Sequence, residues 1–196
     1  MKVYVVGTRT SSVTARKYEG SDGSQEWTAD YTYQGYGIAL APWRVGFGVT
    51  AGSGVKWCNE GGVAQWTATH GNTIYGCAVD SAGNLVIGGF RADSITTRYY
   101  DSAGTEQWTA DHGAHVRTVA MDSAGHIITG GQRASSLTTR YYDSDGTEQW
   151  TADHGATVYG VTTDASGNVY TVGDVVSGPY TIRKYNSAGS LQWSAD

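Results

Sequence analysis

Apolar and β-branched positions along this chain fall into short runs separated by clusters of Asp, Ser, Gly and Asn. Between residues 71 and 112 the runs are Ile74–Val79, Leu85–Gly88, Ile95–Tyr100 and Thr105–Thr109, and the first three separators read DSAGN, GFRADS and DSAG. Ile, Val, Thr, Tyr and Trp suit a pleated, half-buried surface. Asp, Ser, Asn and Gly supply the side-chain acceptors and positive-φ positions of tight hairpin turns. No window holds an apolar period of 3.6 over a useful length. The pattern predicts short antiparallel strands and no helix.

The same pattern recurs. Trp27, Trp66, Trp108, Trp150 and Trp193 stand 39, 42, 42 and 43 residues apart, and residues 71–112 match 113–154 at 27 of 42 positions. Four full copies cover 31–70, 71–112, 113–154 and 155–196, and residues 1–30 match the last three-quarters of a copy. The high identity of these adjacent copies points to recent duplication. DSAGN and DSAG are long enough only to close hairpins, whereas the stretch Thr109–His115 reaches ~20 Å when extended, enough to cross a four-stranded sheet. The first run of each copy is therefore the inner strand, and the Trp run the outer one. Four strands per copy predict an all-β fold: a single β-propeller domain over 1–196, with five blades of four-stranded antiparallel sheets and an incomplete N-terminal blade. One chain is expected to close a ring with one short sector, to be a fragment of a longer gene, or to self-associate through the incomplete blade.

The segments YGCAVDSAGNLVIGG, YGVTTDASGNVYTVG and YTIRKYNSAGSLQWS resemble blades of NHL-type and SBBP-type propeller repeats. The resemblance spans nearly the whole chain except about 41–62. It implies the fold and leaves the function open, because propellers bind, scaffold and catalyse alike.

Composition removes several function classes. The formal net charge is −5 and no Lys/Arg cluster occurs, so no nucleic-acid partner is expected. No apolar run approaches the ~18 residues of a membrane span, and Met1–Gly7 is too short for a signal-peptide core. A cytoplasmic or virion-associated location is the expectation. Cys58 and Cys77 do not make a disulfide framework, and no cofactor or metal is predicted.

Most chemistry-bearing residues repeat and so belong to the scaffold. His70, His112 and His154 follow each outer strand and are read as loop-fixing side chains. Asp80, Asp122, Asp164, Asp101 and Asp143 open turns and are read as Asx caps, since the twelfth residue from Asp143 is His154 where a calcium loop needs Glu. Arg16, Arg98, Arg140 and Arg183 recur on the third strand, with the acids after each Trp (Asp30, Asp111, Asp153) as their expected partners. Trp43 and Trp57 mark the second copy as divergent and are assigned to packing. No Gly-x-Ser-x-Gly elbow, phosphate loop or paired-acid pocket is present, so the chain is not expected to be an enzyme.

Positions that vary between copies carry the ligand hypothesis. Tyr36, Tyr75, Arg117 and Tyr159 open successive inner strands, and Arg91 and Arg133 lie in second-to-third-strand loops at the same end. Tyr with Arg on a Gly-rich concave rim suits a carbohydrate or protein ligand. The expected function is a non-catalytic binding or scaffold propeller of unidentified partner. A lectin-like propeller is the alternative, and a propeller glycoside hydrolase the second alternative.

Overall fold

The computed structural model describes residues 2–9, 12–31, 38–40, 46–51, 53–59, 61–93, 95–134, 137–175 and 181–196. Nineteen strands and no helix occur among them. The first sheet has β1 (Lys2–Arg9), β2 (Ser12–Glu19) and β3 (Gln25–Tyr31) in that order. The second has β4 (Ile38–Leu40), β5 (Gly46–Ala51), β6 (Gly54–Asn59) and β7 (Ala64–Thr69). The third has β8 (Ile74–Val79), β9 (Leu85–Ala92), β10 (Ile95–Tyr100) and β11 (Glu106–Ala110). The fourth has β12 (Val116–Met121), β13 (Ile127–Ala134), β14 (Leu137–Tyr142) and β15 (Glu148–Ala152). The fifth has β16 (Val158–Thr163), β17 (Val169–Gly173), β18 (Thr181–Tyr185) and β19 (Leu191–Ala195). Each sheet is an antiparallel meander in chain order.

The tight turns opened by Asp or Asn three residues before a Gly are built alike. Asp101 Oδ1 accepts from the backbone N of Ala103 and Thr105, and Gly104 N donates to Asp101 O at 3.0 Å. Asp80, Asp122, Asp143 and Asp164 repeat this, and Asn186 does so in the last hairpin. The Asx reading therefore holds. In each aspartate one carboxylate oxygen, Oδ1, accepts the backbone N–H groups of the turn.

The second strand of a copy runs past its expected end. β9 continues through Phe90 to Ala92 where the pattern stopped at Gly88, because Phe90 N donates to Thr73 O at 2.7 Å and extends the pairing. Gln132 N and Asp174 N do the same to His115 O and Thr157 O.

The core lies between sheets. Val55, Ile74, Leu85, Ile87 and Tyr100 fill the seam of the second and third sheets. Val86, Tyr99, Val116, Val119, Ile127 and Tyr142 fill the next, and Ile128, Tyr141, Val169 and Tyr185 the last. Burial of these side chains on both faces drives the array together at roughly 25 cal/mol per Å² of apolar surface. Trp57 is buried and stacks on Trp66 with ring centroids 6.2 Å apart, in agreement with its assignment to packing. Trp43 lies outside the described residues.

Among the described residues β1 pairs with β2 alone, which leaves its other edge unpaired there. Such edges open first. Hydrogen exchange on the isolated chain should show the outward-facing amides of Lys2–Arg9 among the fastest strand amides, with those of β13 and β14 among the slowest. Equal protection of the two would mean that another strand covers β1.

Candidate functional site

Three seams repeat one arrangement that absorbs most of the conserved text of the copies. The Trp66 indole N donates to Ser102 O of the next sheet at 3.3 Å, Trp108 to Ser144 O at 3.1 Å and Trp150 to Ser187 O at 3.1 Å. Each ring also meets the Tyr at the end of the next sheet's third strand: Tyr100, Tyr142 and Tyr185, at 5.8, 5.6 and 5.7 Å.

The histidines are seam residues as well. His70, His112 and His154 are fully buried. His70 Nε2 bonds to Phe90 O at 2.9 Å, and His154 Nδ1 to Thr171 Oγ1 at 3.2 Å, each on the following sheet. The backbone N of His112 and of His154 donates to Thr96 and Thr138 Oγ1 at 2.8 Å. The three imidazoles occupy three different seams, which is the loop-fixing geometry.

The third-strand arginines are paired differently from expectation. Arg98 bonds to Glu106 Oε2 at 2.6 Å and Arg140 pairs with Glu148; in the first sheet their register counterpart Arg16 donates to the Tyr18 hydroxyl at 3.4 Å, and the neighbouring Lys17 pairs with Glu26 at 2.9 Å. The arginine partners Glu106 and Glu148 stand two residues before Trp108 and Trp150. Register places Arg98 opposite Thr109 and Tyr100 opposite Glu106, so Glu106 is a diagonal neighbour within reach of the guanidinium. Arg183 reaches Asp153 through the backbone carbonyl, at 2.6 Å, because Leu191 replaces the glutamate in the last copy.

What remains at the end where the inner strands begin is a strip of side chains at positions that vary between copies. The Arg117 guanidinium lies over the Tyr75 ring, 4.8 Å from its centroid. The Phe90 ring stacks on His115 of the next sheet. Burial and the nearby Arg117 charge hold His115 below the ordinary histidine pKa. Tyr159 is half exposed and donates its hydroxyl to Asp174 Oδ2 at 3.0 Å. The structure thus brings Tyr75 and Arg117 together and sets Tyr159 one sheet further on. The backbones of Arg91 and Arg133 follow Phe90 and Gln132 near the ends of β9 and β13, at this same end; their side chains, and Tyr36 as a whole, lie outside the described residues.

The opposite end holds a cluster that repeat reasoning passed over. His126 replaces the Asn found at positions 84 and 168. Its Nδ1 lies 2.7 Å from Asp122 Oδ2 and 2.8 Å from the Tyr141 hydroxyl, which in turn donates to Asp122 Oδ2 at 3.1 Å. Burial pushes the Asp122 carboxyl up, but bonds from His126 and Tyr141 more than offset this and leave it below the usual range. A cavity of about 340 Å³ opens beside it, lined by His126, Tyr141, Gln149, Trp150 and Ser187. The faces of Trp150 are taken by Tyr141 and Tyr185, so the cavity offers no free aromatic platform. The departure from Asn in one copy was the available signal.

No protein-family model matches the chain, and no curated protein matches it in sequence. Among solved structures, a chain of a crystal structure of a mitotic checkpoint complex is similar at 17% identity, with a TM-score of 0.78 over 97% of this chain. The match covers 63% of that chain, so this protein spans less than two thirds of its length. No helix is long and apolar enough to cross a membrane. Meander sheets joined seam to seam through Trp, Ser and Gly, together with that likeness in fold, identify the architecture as an all-β propeller with a three-stranded first blade and four four-stranded blades.

Proposed function

We propose that this chain is a non-catalytic binding propeller, built from recently duplicated blades of the NHL or SBBP kind, that captures a protein segment bearing carboxylates. The supporting observation is the division between side chains that repeat from one blade seam to the next and positions that vary between copies. The repeated Trp, His and Asx residues have structural partners in the seams and turns. Tyr75, Arg117, Phe90, His115, Tyr159 and Asp174, at positions that vary between copies, gather at one end of the inner strands. Arg117, held against an aromatic face, is a cation ordered before a ligand arrives, and Arg91 and Arg133 add positive charge at the same end of an otherwise acidic chain. A sugar would need open aromatic faces, and the Tyr75 face is already covered.

Peptide and glycan arrays probed with the labelled protein separate the readings. Signal on acidic peptides, weakened about tenfold or more by Tyr159→Ala with the melting temperature unchanged, is the expected result. Signal confined to glycans and lost in both Tyr75→Ala and Tyr159→Ala would establish the lectin-like alternative. Turnover of aryl glycosides would overturn the non-catalytic assignment and favour the hydrolase.

A further inference from the structure

Asn84, in the first turn of the third sheet, is spent at both ends of its amide. Its Nδ2 donates to Asp80 Oδ2 at 2.8 Å and its Oδ1 accepts from Ser102 N at 3.1 Å. His126, in the same place one blade on, is spent at one end only. Its Nδ1 is taken by Asp122 and Tyr141, while Nε2, on the far side of a ring that is 35% exposed, has no partner among the described residues. The place of the ring proton follows from the neighbours. The Asp122 carboxyl lies below the usual range and is ionised at neutral pH, so its Oδ2 only accepts. Burial and the Asp122 charge push the Tyr141 hydroxyl up, so it stays an O–H, donated to the same oxygen. Nδ1, 2.7 Å from that oxygen, therefore carries the proton, and the neutral ring turns a bare Nε2 lone pair outwards.

The cavity of about 340 Å³ beside His126 has its other donors spent in the same sense. Gln149 Nε2 donates to Asp143 Oδ2 at 2.8 Å and to Thr147 O at 3.4 Å. Both partners can only accept, so the end of the amide left over is the oxygen, Oε1. The Trp150 indole N–H is held by Ser187 O, and the Ala188 N–H by Asn186 Oδ1. Asp143 takes two backbone N–H groups on Oδ1 and the Gln149 amide on Oδ2, which leaves it acceptor capacity and a negative charge. Among the lining side chains Ser187 alone still has a proton to donate, on a hydroxyl that accepts equally well. No lysine or arginine lines the cavity.

We propose that this cavity, at the seam of the fourth and fifth blades, binds a primary alkylammonium group, with His126 Nε2 as an acceptor and Asp143 as the opposing charge. An ammonium carries three N–H donors and no acceptor, the complement of this wall. The Trp150 edge and the Ala188 methyl offer the alkyl chain an apolar contact. A carboxylate or phosphate would meet lone pairs and a like charge. A neutral hydroxyl brings one donor and gains nothing from the Asp143 charge. The volume takes a small molecule or one side chain, so the same chemistry comes from a free amine or from a lysine of a partner. The site lies at the opposite end of the blades from the strip assigned to carboxylates, and each of the two assignments stands without the other.

Side-chain ¹H–¹⁵N NMR of the labelled 196-residue chain tests the proposal with n-butylammonium chloride as the probe. Before the probe is added, at about pH 8 and so above the ordinary histidine range, His126 should be protonated at Nδ1 and bare at Nε2. The probe should shift the Nε2 resonance and saturate with a Kd of about 10 mM or below, and 1-butanol should bind about tenfold or more weakly. His126→Asn puts back the residue found at positions 84 and 168, so the turn keeps its bonds. That variant should melt no lower than wild type and bind the probe about tenfold or more weakly, read from the Trp150 indole N–H signal. A proton on Nε2 in the free protein overturns the proposal. So does an Nε2 resonance that about 50 mM probe moves no more than an equal amount of sodium chloride. Equal binding of butanol, or a His126→Asn variant that binds as wild type does, overturns it as well. An end-blocked pentapeptide of four glycines around one lysine separates the sources. Binding as tight as that of butylammonium assigns the site to a lysine of a protein partner, and binding of butylammonium alone assigns it to a free amine.

Discussion

Gly146→Ala should cost the protein about 3 kcal/mol, while Gly125→Ala, in the other hairpin of the same blade, should cost about 1. Both glycines are held in the left-handed region, with φ of +83° and +86°, because each closes an Asx turn on the carbonyl three residues earlier. An L side chain pays about 1 kcal/mol for that conformation in either place. The difference is the neighbour. At Gly125 the nearest atom to a new Cβ is Ser144 Cβ at 3.9 Å, an ordinary contact. At Gly146 the Trp108 ring lies at 2.7 Å, pinned by its bond to Ser144 O and by Tyr99 and Tyr142 on either side. The ring has nowhere to retreat, so the overlap adds about 2 kcal/mol more. For a chain of this size that difference is a fall in melting temperature of roughly 4–8 °C for Gly146→Ala beyond that for Gly125→Ala. Matching losses at the two sites would show that the ring is free to yield and that the Trp contact does not set the seam.

The same contact explains how much of the structure was legible in the chain. Period, turn chemistry and strand boundaries could be read because each copy repeats a local instruction. DSAG closes a hairpin wherever it stands, and β8 and β10 begin and end where the apolar runs do. The short first sheet was visible as a copy lacking its first quarter. The interblade roles were not visible in the same way, since neither Trp108 nor Gly146 names its partner and the two lie 38 residues apart. The arginine partners were missed for a related reason. The acids after each Trp looked closer in sequence logic, but the register shift between Tyr99 and Tyr100 brings Glu106, not Asp111, beside Arg98. A bulge of this kind has no signature in hydrophobic period. Of the proposed ligand residues, Tyr75 and Arg117 do come together, which follows from their place on adjacent inner strands. His126 went unremarked because repeat reasoning weighs what copies share, and its cavity arises from what one copy changed.

Acidification should destabilise the protein in two separate steps, the first of them set by the buried histidines. Burial lowers the pKa of His70, His112 and His154, and for His112, with the Arg140 charge adding to burial, it falls to about 4. The bonds to the Phe90 and Gln132 backbones and the Glu106, Asp111 and Asp153 charges oppose these shifts without cancelling them. The folded state therefore keeps the three rings neutral at a pH where the unfolded chain, with histidines near 6.5, takes up protons. Protons favour the unfolded state in that interval. The stability these rings permit is whole above pH 6.5 and drains as the pH falls toward 4, by about 3 kcal/mol for His112 alone. The second step lies lower. Asp164, its carboxyl held at about 2 first by the Asn168 amide and then by backbone N–H groups and Tyr170, begins to lose its contribution only below pH 4. Melting temperatures of wild type and His112→Gln between pH 7 and 4.5 separate the contributions. The variant should be less stable at pH 7, having lost the seam contact to Thr129, yet should fall more gently as the pH drops, so that the two curves converge. Parallel curves would mean that His112 is protonated in the folded protein as readily as in the unfolded one, and that the seam admits water.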